Sequence, residues 1–380
     1  MTASTLERPA AATLTVRAAT HHDGPALVAL GVQCVMDGDI AMCIDRGPDF
    51  FALNRLEGDR WEVHLACAGD GVIVGCIAIS ERHTWLRGEA RRTLYLSDFK
   101  VHPAWRGSGA ADLLAERARD VCERLGGPTM PVVMTVLAGN RRMENRARGP
   151  RGLPTLARFA TVSAEAVPLL WPRATPARET GLAVGRARAD DLDEMAALWG
   201  RVAPGRQCAP ALDALTLAAW IERAPGLAID DYLLVRRADG RLAGFAALWD
   251  QEPLKRTVVT RWSRRLDIVR RAFNAAAPGL GARPLPAAGQ PLRAATLAHL
   301  CVPAAEPAAL RAIVLAAYGA LRGRYSFLVL GLDPRDPLRR ALDGLLAQPT
   351  RVHAYATTAA GSYDGAPLDD RPFHHEIALT

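Results

Sequence analysis

Between Leu94 and Leu125 the chain reads as a strand, a tight turn of small residues and a helix, and no other stretch constrains the fold as strongly. Leu94-Tyr95-Leu96-Ser97-Asp98-Phe99-Lys100-Val101 alternates apolar and polar residues and closes at His102-Pro103, the pattern of a strand. Arg106-Gly107-Ser108-Gly109-Ala110-Ala111 follows, with side chains small enough for successive backbone N–H groups to approach an anion. Leu114, Ala118, Val121, Cys122 and Leu125 then recur at helical spacing. The predicted helix therefore has one apolar face and carries the small-residue turn at the positive end of its dipole, where a phosphate binds without a metal.

Flanking residues separate the possible glycine loops. No glycine here precedes Lys-Ser or Lys-Thr, so the Walker lysine and its magnesium-holding hydroxyl are missing. The dinucleotide fingerprint fails because Asp112 stands where its third glycine belongs, and the next predicted strand, 132–137, ends without a ribose-binding acid. What remains is Arg106, Gly109 and Ala111 behind a strand that ends Val101-x-Pro103. This arrangement resembles the GNAT superfamily of acyl-CoA-dependent N-acyltransferases, whose signature is Arg or Gln, two residues, Gly, one residue, then Gly or Ala.

Internal repetition suggests that the fold occurs twice. Asp70-Gly71-Val72-Ile73-Val74-Gly75 reappears 169 residues later as Asp239-Gly240-Arg241-Leu242-Ala243-Gly244, and the opening strand and helix near 14–30 have counterparts near 182–198. The expected fold class is thus α/β, with two tandem GNAT-like domains, each a mixed, mostly antiparallel sheet flanked by helices. Expected boundaries are a tail over 1–13, a first domain over 14–171, a linker over 172–180 and a degenerate second domain over 181–380. In the second copy Val302-Pro303 runs through Ala304-Ala305-Glu306-Pro307 directly into a helix, with no glycine before Gly319, so its phosphate loop is gone. That copy also carries an insertion near 251–290. There Trp262, Leu266, Val269 and Phe273 form an apolar stripe among Arg261, Arg264, Arg265, Arg270 and Arg271, predicting a basic helix that packs its stripe on its own protein.

The 380 residues, 49% of them apolar, suit a globular enzyme with sizeable cores. No run is long enough to span a membrane, and Met1 to Thr13 lacks the apolar core of a signal peptide. Seven cysteines without a Cys-x-x-Cys pair predict reduced thiols and a cytoplasmic setting. The His21-His22 and His374-His375 pairs have no cysteine partners at ligand spacing, so they read as solvated surface and no metal is expected. A net charge of +7 favours acidic partners, coenzyme A phosphates included. Without aromatic-basic interleaving it selects neither nucleic acid nor a membrane.

The resemblance implies roles for particular residues. Phe99, Lys100 and Val101 match the strand that pairs with the pantetheine arm, the Val101 amide matches the oxyanion donor, and the amides of Arg106, Gly107, Ser108, Gly109, Ala110 and Ala111 match the pyrophosphate cradle. Asn140 holds the family's common asparagine position near the cofactor. Asp98 is a candidate base, and strand alternation puts it opposite Ser97 and Phe99. If its face turns away from the cleft, Tyr95 and Ser97 are the candidates. The family's proton-donating tyrosine is absent, since no tyrosine occurs between Val132 and Trp171; Arg141, Arg142, Arg146, Arg148 and Arg151 stand there instead, as an exposed loop or as binders of an acidic group. Phe50, Phe51, Trp61 and Trp85 read as core or as the wall of an acceptor pocket. The function expected is an acetyl-CoA-dependent N-acetyltransferase acting on a small-molecule amine, with its chemistry in the first copy. A non-catalytic acyl-CoA-binding or regulatory protein, or a transferase of longer acyl chains, is the alternative.

Overall fold

The computed structural model describes residues 13–69, 71–147, 156–173, 181–360 and 368–380. Most of the expected tail, linker residues 174–180, Asp70 of the repeat, and Arg148 and Arg151 lie outside the described residues.

In chain order the first half comprises β1 (Leu14–Ala18), α1 (Gly24–Gln33), β2 (Ile40–Asp45), α2 (Ala52–Glu57), β3 (Arg60–Ala68), β4 (Ile73–Leu86), β5 (Glu89–Val101), α3 (Ala110–Gly126), β6 (Val132–Leu137), α4 (Arg141–Ala147) and β7 (Ala157–Pro168). The second half comprises β8 (Leu182–Arg186), α5 (Leu192–Val202), α6 (Ala214–Arg223), β9 (Tyr232–Arg237), β10 (Leu242–Trp249), β11 (Arg256–Trp262), α7 (Arg264–Leu280), β12 (Ala294–Cys301), α8 (Pro307–Leu321), β13 (Phe327–Leu332) and β14 (Gln348–Thr357).

Twelve of these strands form one sheet in the order β1-β3-β4-β5-β6-β14-β7-β13-β12-β10-β9-β8, while β2 pairs with β11 in a small ribbon. All pairs are antiparallel except β5 with β6 and β12 with β13. The α/β class and the mixed, mostly antiparallel pairing therefore match expectation, but the division into two separate sheets does not. β7 leaves its own half to pair with β13, and β14 crosses to pair with β6, so the two final strands lie side by side at the centre. The exchange covers the edges that β6 and β13 would otherwise present to solvent. Period-two alternation shows which side of a strand is buried but not which edge it joins, which is why the sequence did not reveal it.

Helices cover both faces. On one face of the first half α3 buries Ala110, Leu114, Ala118, Val121, Cys122 and Leu125 against Ile77, Ile79 and Leu94. On the other, Leu27 and Leu30 of α1 meet Phe50, Val63, Leu65 and Cys76. In the second half α8 packs on one face and α5 and α6 on the other. The repeated glycines have a shared physical reason. A Cβ at Gly75 would lie 2.9 Å from the Lys100 carbonyl oxygen, and one at Gly244 2.8 Å from a Val302 methyl, so each lets a sheet neighbour approach at the same place in its half. Leu114 is fully buried, and Leu114→Ala is expected to destabilise the protein by about 2–5 kcal/mol, read as a lowered urea midpoint at unchanged slope.

Residues 256–280 form β11 and the helix α7, in which Asp267 pairs with Arg270 and Arg271. Leu266 and Phe273 are half-buried, but Val269 is 55% exposed beside Ile268 at 70%, so the apolar stripe is narrower than the spacing suggested.

Candidate active site

β5 and β6 run parallel for only three pairs, from Leu94–Val132 to Leu96–Met134, after which the strands share no ladder. The sheet opens there into a wedge whose β5 rim is Ser97 to Val101. A β-bulge distorts that rim: Cys76 faces Lys100 while Ala78 faces Ser97, and Asp98 takes a left-handed conformation at φ 52°. The bulge overturns the alternation inferred from the sequence. Ser97 bonds Glu57 of α2 and Asp98 bonds Arg46 beyond β2, so these consecutive residues share the α1–α2 face, while Phe99 packs on the α3 side. Tyr95, Ser97, Asp98 and Lys100 thus line one side of the rim. His102 donates to Val74 O at 2.8 Å, and ladder alternation then turns the Val101 amide away from β4 and into the wedge.

At the end of the wedge, Pro103 to Trp105 form a short turn pinned by the buried Trp105. Gly107 and Gly109 adopt φ 81° and 91°, a region that favours glycine, and Gly109 caps α3. Within the loop Ser108 N bonds Trp105 O, Asp112 N bonds Gly109 O, and Ala110 N lies 3.3 Å from Ser108 Oγ. Among the described residues the amides of Gly107, Gly109 and Ala111 are outside these bonds, at the positive end of a 17-residue helix. Asn140 Oδ1 accepts from Met143 N at 3.3 Å, capping α4, and Arg146 of α4 forms an ion pair with Asp112 of α3. Between these helices and the strands lies an apolar cavity enclosing about 560 Å3, its open mouth included, with Leu96, Phe99, Ala118, Met134 and Met143 in its wall.

On the α1–α2 face the polar groups are tightly connected. The Asp98 carboxylate is paired with Arg46 and Lys100 and is held well below the usual carboxylate range by these two cations, which overcome its burial. Arg46 also donates to Phe50 O and, at 2.9 Å, to Asn54 Oδ1, and its guanidinium lies 4.1 Å from the Phe50 ring centre. Ser97 Oγ donates to Glu57 Oε2 at 3.0 Å, and burial pushes the Glu57 carboxyl above its ordinary value. Tyr95 Oη lies 2.6 Å from Thr135 Oγ across the floor of the wedge, and burial likewise raises its hydroxyl. Arg46, Glu57 and Lys255, the last lining the same cavity wall as Arg46, Asp98 and Lys100, escaped sequence reading because no motif marks them; chain folding alone brings them to the rim. Phe50 lines this side, whereas Phe51 and Trp61 stack on each other.

The second half repeats the geometry without the opening. β12 and β13 are parallel over three pairs, and His299 occupies the corresponding bulge at φ 49°. There the chain's own residues 373–376 fill the wedge: Phe373 N donates to Asp333 at 2.9 Å, and Glu376 accepts from His299 N at 2.9 Å. A Cβ at Gly331 would lie only 2.6 Å from His375 O. His374 and His375 are therefore buried and not solvated surface as expected, with His375 pushed down to about 4 by desolvation, whereas His21 and His22 are exposed. Sequence could not show this, because what buries them is a wedge built from distant strands. Glu306, where a phosphate loop would end, instead pairs with Arg237 at 2.5 Å. Truncating Glu376 to Ala is expected to cost about 1–3 kcal/mol in urea unfolding by stranding the His299 amide. Among the described residues no cluster of histidine, cysteine and carboxylate side chains suits a metal. Nor, among the described residues, is any helix long and apolar enough to cross a membrane.

A splayed parallel strand pair, a bulged rim and an amide-lined helix start define a GNAT-superfamily acetyltransferase-like fold. Residues 43–146 match the Acetyltransferase (GNAT) family model. Solved structures share the fold over nearly the whole chain. A GCN5-related N-acetyltransferase from Sphaerobacter thermophilus is 18% identical, with TM-score 0.55, covering 92% of this chain and 96% of that one. Saccharomyces cerevisiae N-myristoyltransferase with bound myristoyl-CoA is 12% identical, with TM-score 0.60, covering 93% and 84%. A fungal multi-domain GH3 β-N-acetylglucosaminidase with a GCN5-related glucosamine N-acetyltransferase region has TM-score 0.57 at 16% identity, and the match spans 38% of its length. No curated protein sequence matches significantly.

Proposed function

We propose that the chain is an acyl-CoA-dependent N-acyltransferase that carries out its chemistry in the first half, on an amine of a small molecule. The observation that carries this reading is the wedge between β5 and β6 leading onto the unbonded amides of Gly107, Gly109 and Ala111. A pantetheine arm would pair along Phe99, Lys100 and Val101, the diphosphate would rest on the loop from Arg106 to Ala111, and the Val101 amide would stabilise the oxyanion. The second half, its wedge filled by 373–376, is a scaffold in this reading.

Transfer requires a neutral amine and a proton acceptor. Asp98 is the weaker choice, because both its oxygens are engaged by cations and its pKa is depressed. We assign proton removal to Ser97 backed by Glu57, and assign Asp98 to positioning Arg46 and Lys100. Tyr95, kept protonated by burial, is the nearby group with a proton to give. Glu57→Gln is expected to lower kcat about 100-fold. Because the Glu57 pKa is raised, the wild-type rate should fall on acidification at a pH above the ordinary carboxylate range, and the variant should lose that limb. An unchanged pH profile would remove Glu57 from the reaction.

The apolar cavity beside the wedge supports a second reading, in which the donor carries an acyl chain longer than acetyl. Calorimetric titration of acetyl-, octanoyl- and myristoyl-CoA into the full chain separates the two. Tighter binding with chain length supports the longer donor, equal binding supports acetyl, and no binding by any would defeat the transferase assignment. The full chain is required because β7 pairs only with β13 and β14.

A further inference from the structure

Among the described residues helix α7 belongs to none of the buried apolar clusters, and it lines neither the apolar cavity of the wedge nor the wall that carries Lys255. Polar ties hold it to the protein. Ser263 Oγ caps its start by accepting from Leu266 N at 3.4 Å, the Asn274 side chain bonds the Leu285 amide and carbonyl at 2.8 and 2.9 Å, and Arg322 donates to Leu280 O at 2.6 Å. Its inner side carries Leu266, Arg270, Phe273 and Ala277. On the outer side Ile268, Ala272, Ala276 and Leu280 follow one another at four-residue intervals with Val269 beside them, and all five are exposed.

Arginines frame this apolar ladder. Arg264 and Arg265 precede it and Arg271 borders it, all exposed. From Arg261 to Arg283 the chain holds six arginines and one acid, Asp267, which pairs with Arg270 and Arg271. The acids that approach from the neighbouring loop are Asp37, 4.0 Å from Arg261, and Asp39, whose carbonyl accepts from Ser263 N. Arg264 and Arg265 stand outside the ion pairs of the described residues.

We propose that the outer face of α7 docks on an anionic lipid surface. Such a surface is layered, with phosphates outside and acyl chains beneath, and it satisfies both halves of this face at once. Ile268, Val269 and Leu280 enter the acyl boundary, while the arginine stems lie along it and their guanidinium groups reach the phosphates. The net charge of +7 draws the chain to the same surface. Other occupants fit less well. A nucleic acid would pair the arginines and leave the ladder in water. A second copy of this face would set arginines against arginines. A protein groove would grip aromatic anchors at the centre of the face, where two alanines stand instead.

Flotation of the full chain with vesicles of phosphatidylcholine, alone or with about one-third phosphatidylglycerol, tests the proposal. The wild type is expected to bind the anionic vesicles at least about ten-fold more tightly, an advantage that shrinks as salt rises. Arg264→Glu combined with Arg265→Glu should abolish it. Ile268→Ser combined with Val269→Ser removes apolar surface at unchanged charge and should weaken binding about ten-fold. Leu215→Ser, on the exposed side of α6, should bind as the wild type does. All these positions are exposed, so urea midpoints should stay at the wild-type value.

Equal binding to both vesicles, or none to either, would overturn the proposal. Loss with the arginine pair but not with the serine pair would mean adsorption by charge alone and would refute a docked face. Self-association abolished by the serine pair, or capture of polyglutamate in preference to anionic vesicles, would give the face to a protein and defeat the proposal as well. Coenzyme A titration is read separately: its failure in the wild type would strike the transferase reading and leave vesicle binding untouched.

Discussion

Gly109→Glu is expected to raise the Kd for acyl-CoA at least 100-fold in calorimetric titration. Nothing lies within 4 Å of a Cβ built at this position, so the substitution meets open space and not a clash. The residue sits at φ 91°, where an L side chain costs about 1–2 kcal/mol, but that strain is present with and without ligand. The carboxylate is different: placed among the amides that would hold a diphosphate, it adds repulsion of up to about 4 kcal/mol at 4 Å for an effective dielectric of 20. Gly109→Ala carries the strain without the charge, and because that strain is the same with and without ligand, its Kd should stay close to that of the wild type. Gly319→Glu, exposed on α8, should leave binding unchanged. Indistinguishable affinities for Gly109→Glu and wild type would place the cofactor elsewhere.

Asp98→Asn should destabilise the fold by about 3–5 kcal/mol, because it leaves the buried Arg46 and the half-buried Lys100 adjacent and without their shared carboxylate. Asparagine tolerates the left-handed backbone at φ 52°, so the effect reports charge and not strain. The pH dependence has a definite sign. The folded pKa of Asp98 is depressed below the unfolded value of about 3.9, so its contribution is fully present above that value and is lost as pH falls below it towards the folded pKa. Wild-type stability should therefore drop more steeply below pH 4 than that of Asp98→Asn. Urea midpoints across pH 2.5–7, a range chosen to span that value, give the comparison. A loss under about 0.5 kcal/mol at neutral pH, the range of an ordinary surface substitution, would mean that the triad contributes little to folding.

Local chemistry made much of this protein legible in advance. Strand β5, the Arg106–Ala111 turn and helix α3 lie where alternation, small residues and helical spacing put them, because each depends on neighbours within a few positions. The repeated glycines pointed to equivalent places in both halves for the same reason, as did the lost glycines ahead of α8. A one-residue bulge was not legible: Asp98 could be assigned to a face only from a ladder register that skips a residue against β4. The strand exchange at β7 and β14 was equally hidden, because strand pattern records burial and leaves the partner open. The cluster around the rim joins Arg46 and Glu57 from one stretch of chain to Lys255 from another far along it, and the burial of His374 and His375 comes from a wedge in the other half of the sheet. Charge balance and pKa depend on what tertiary packing brings within a few ångströms, and that proximity is not written in the spacing of residues along the chain.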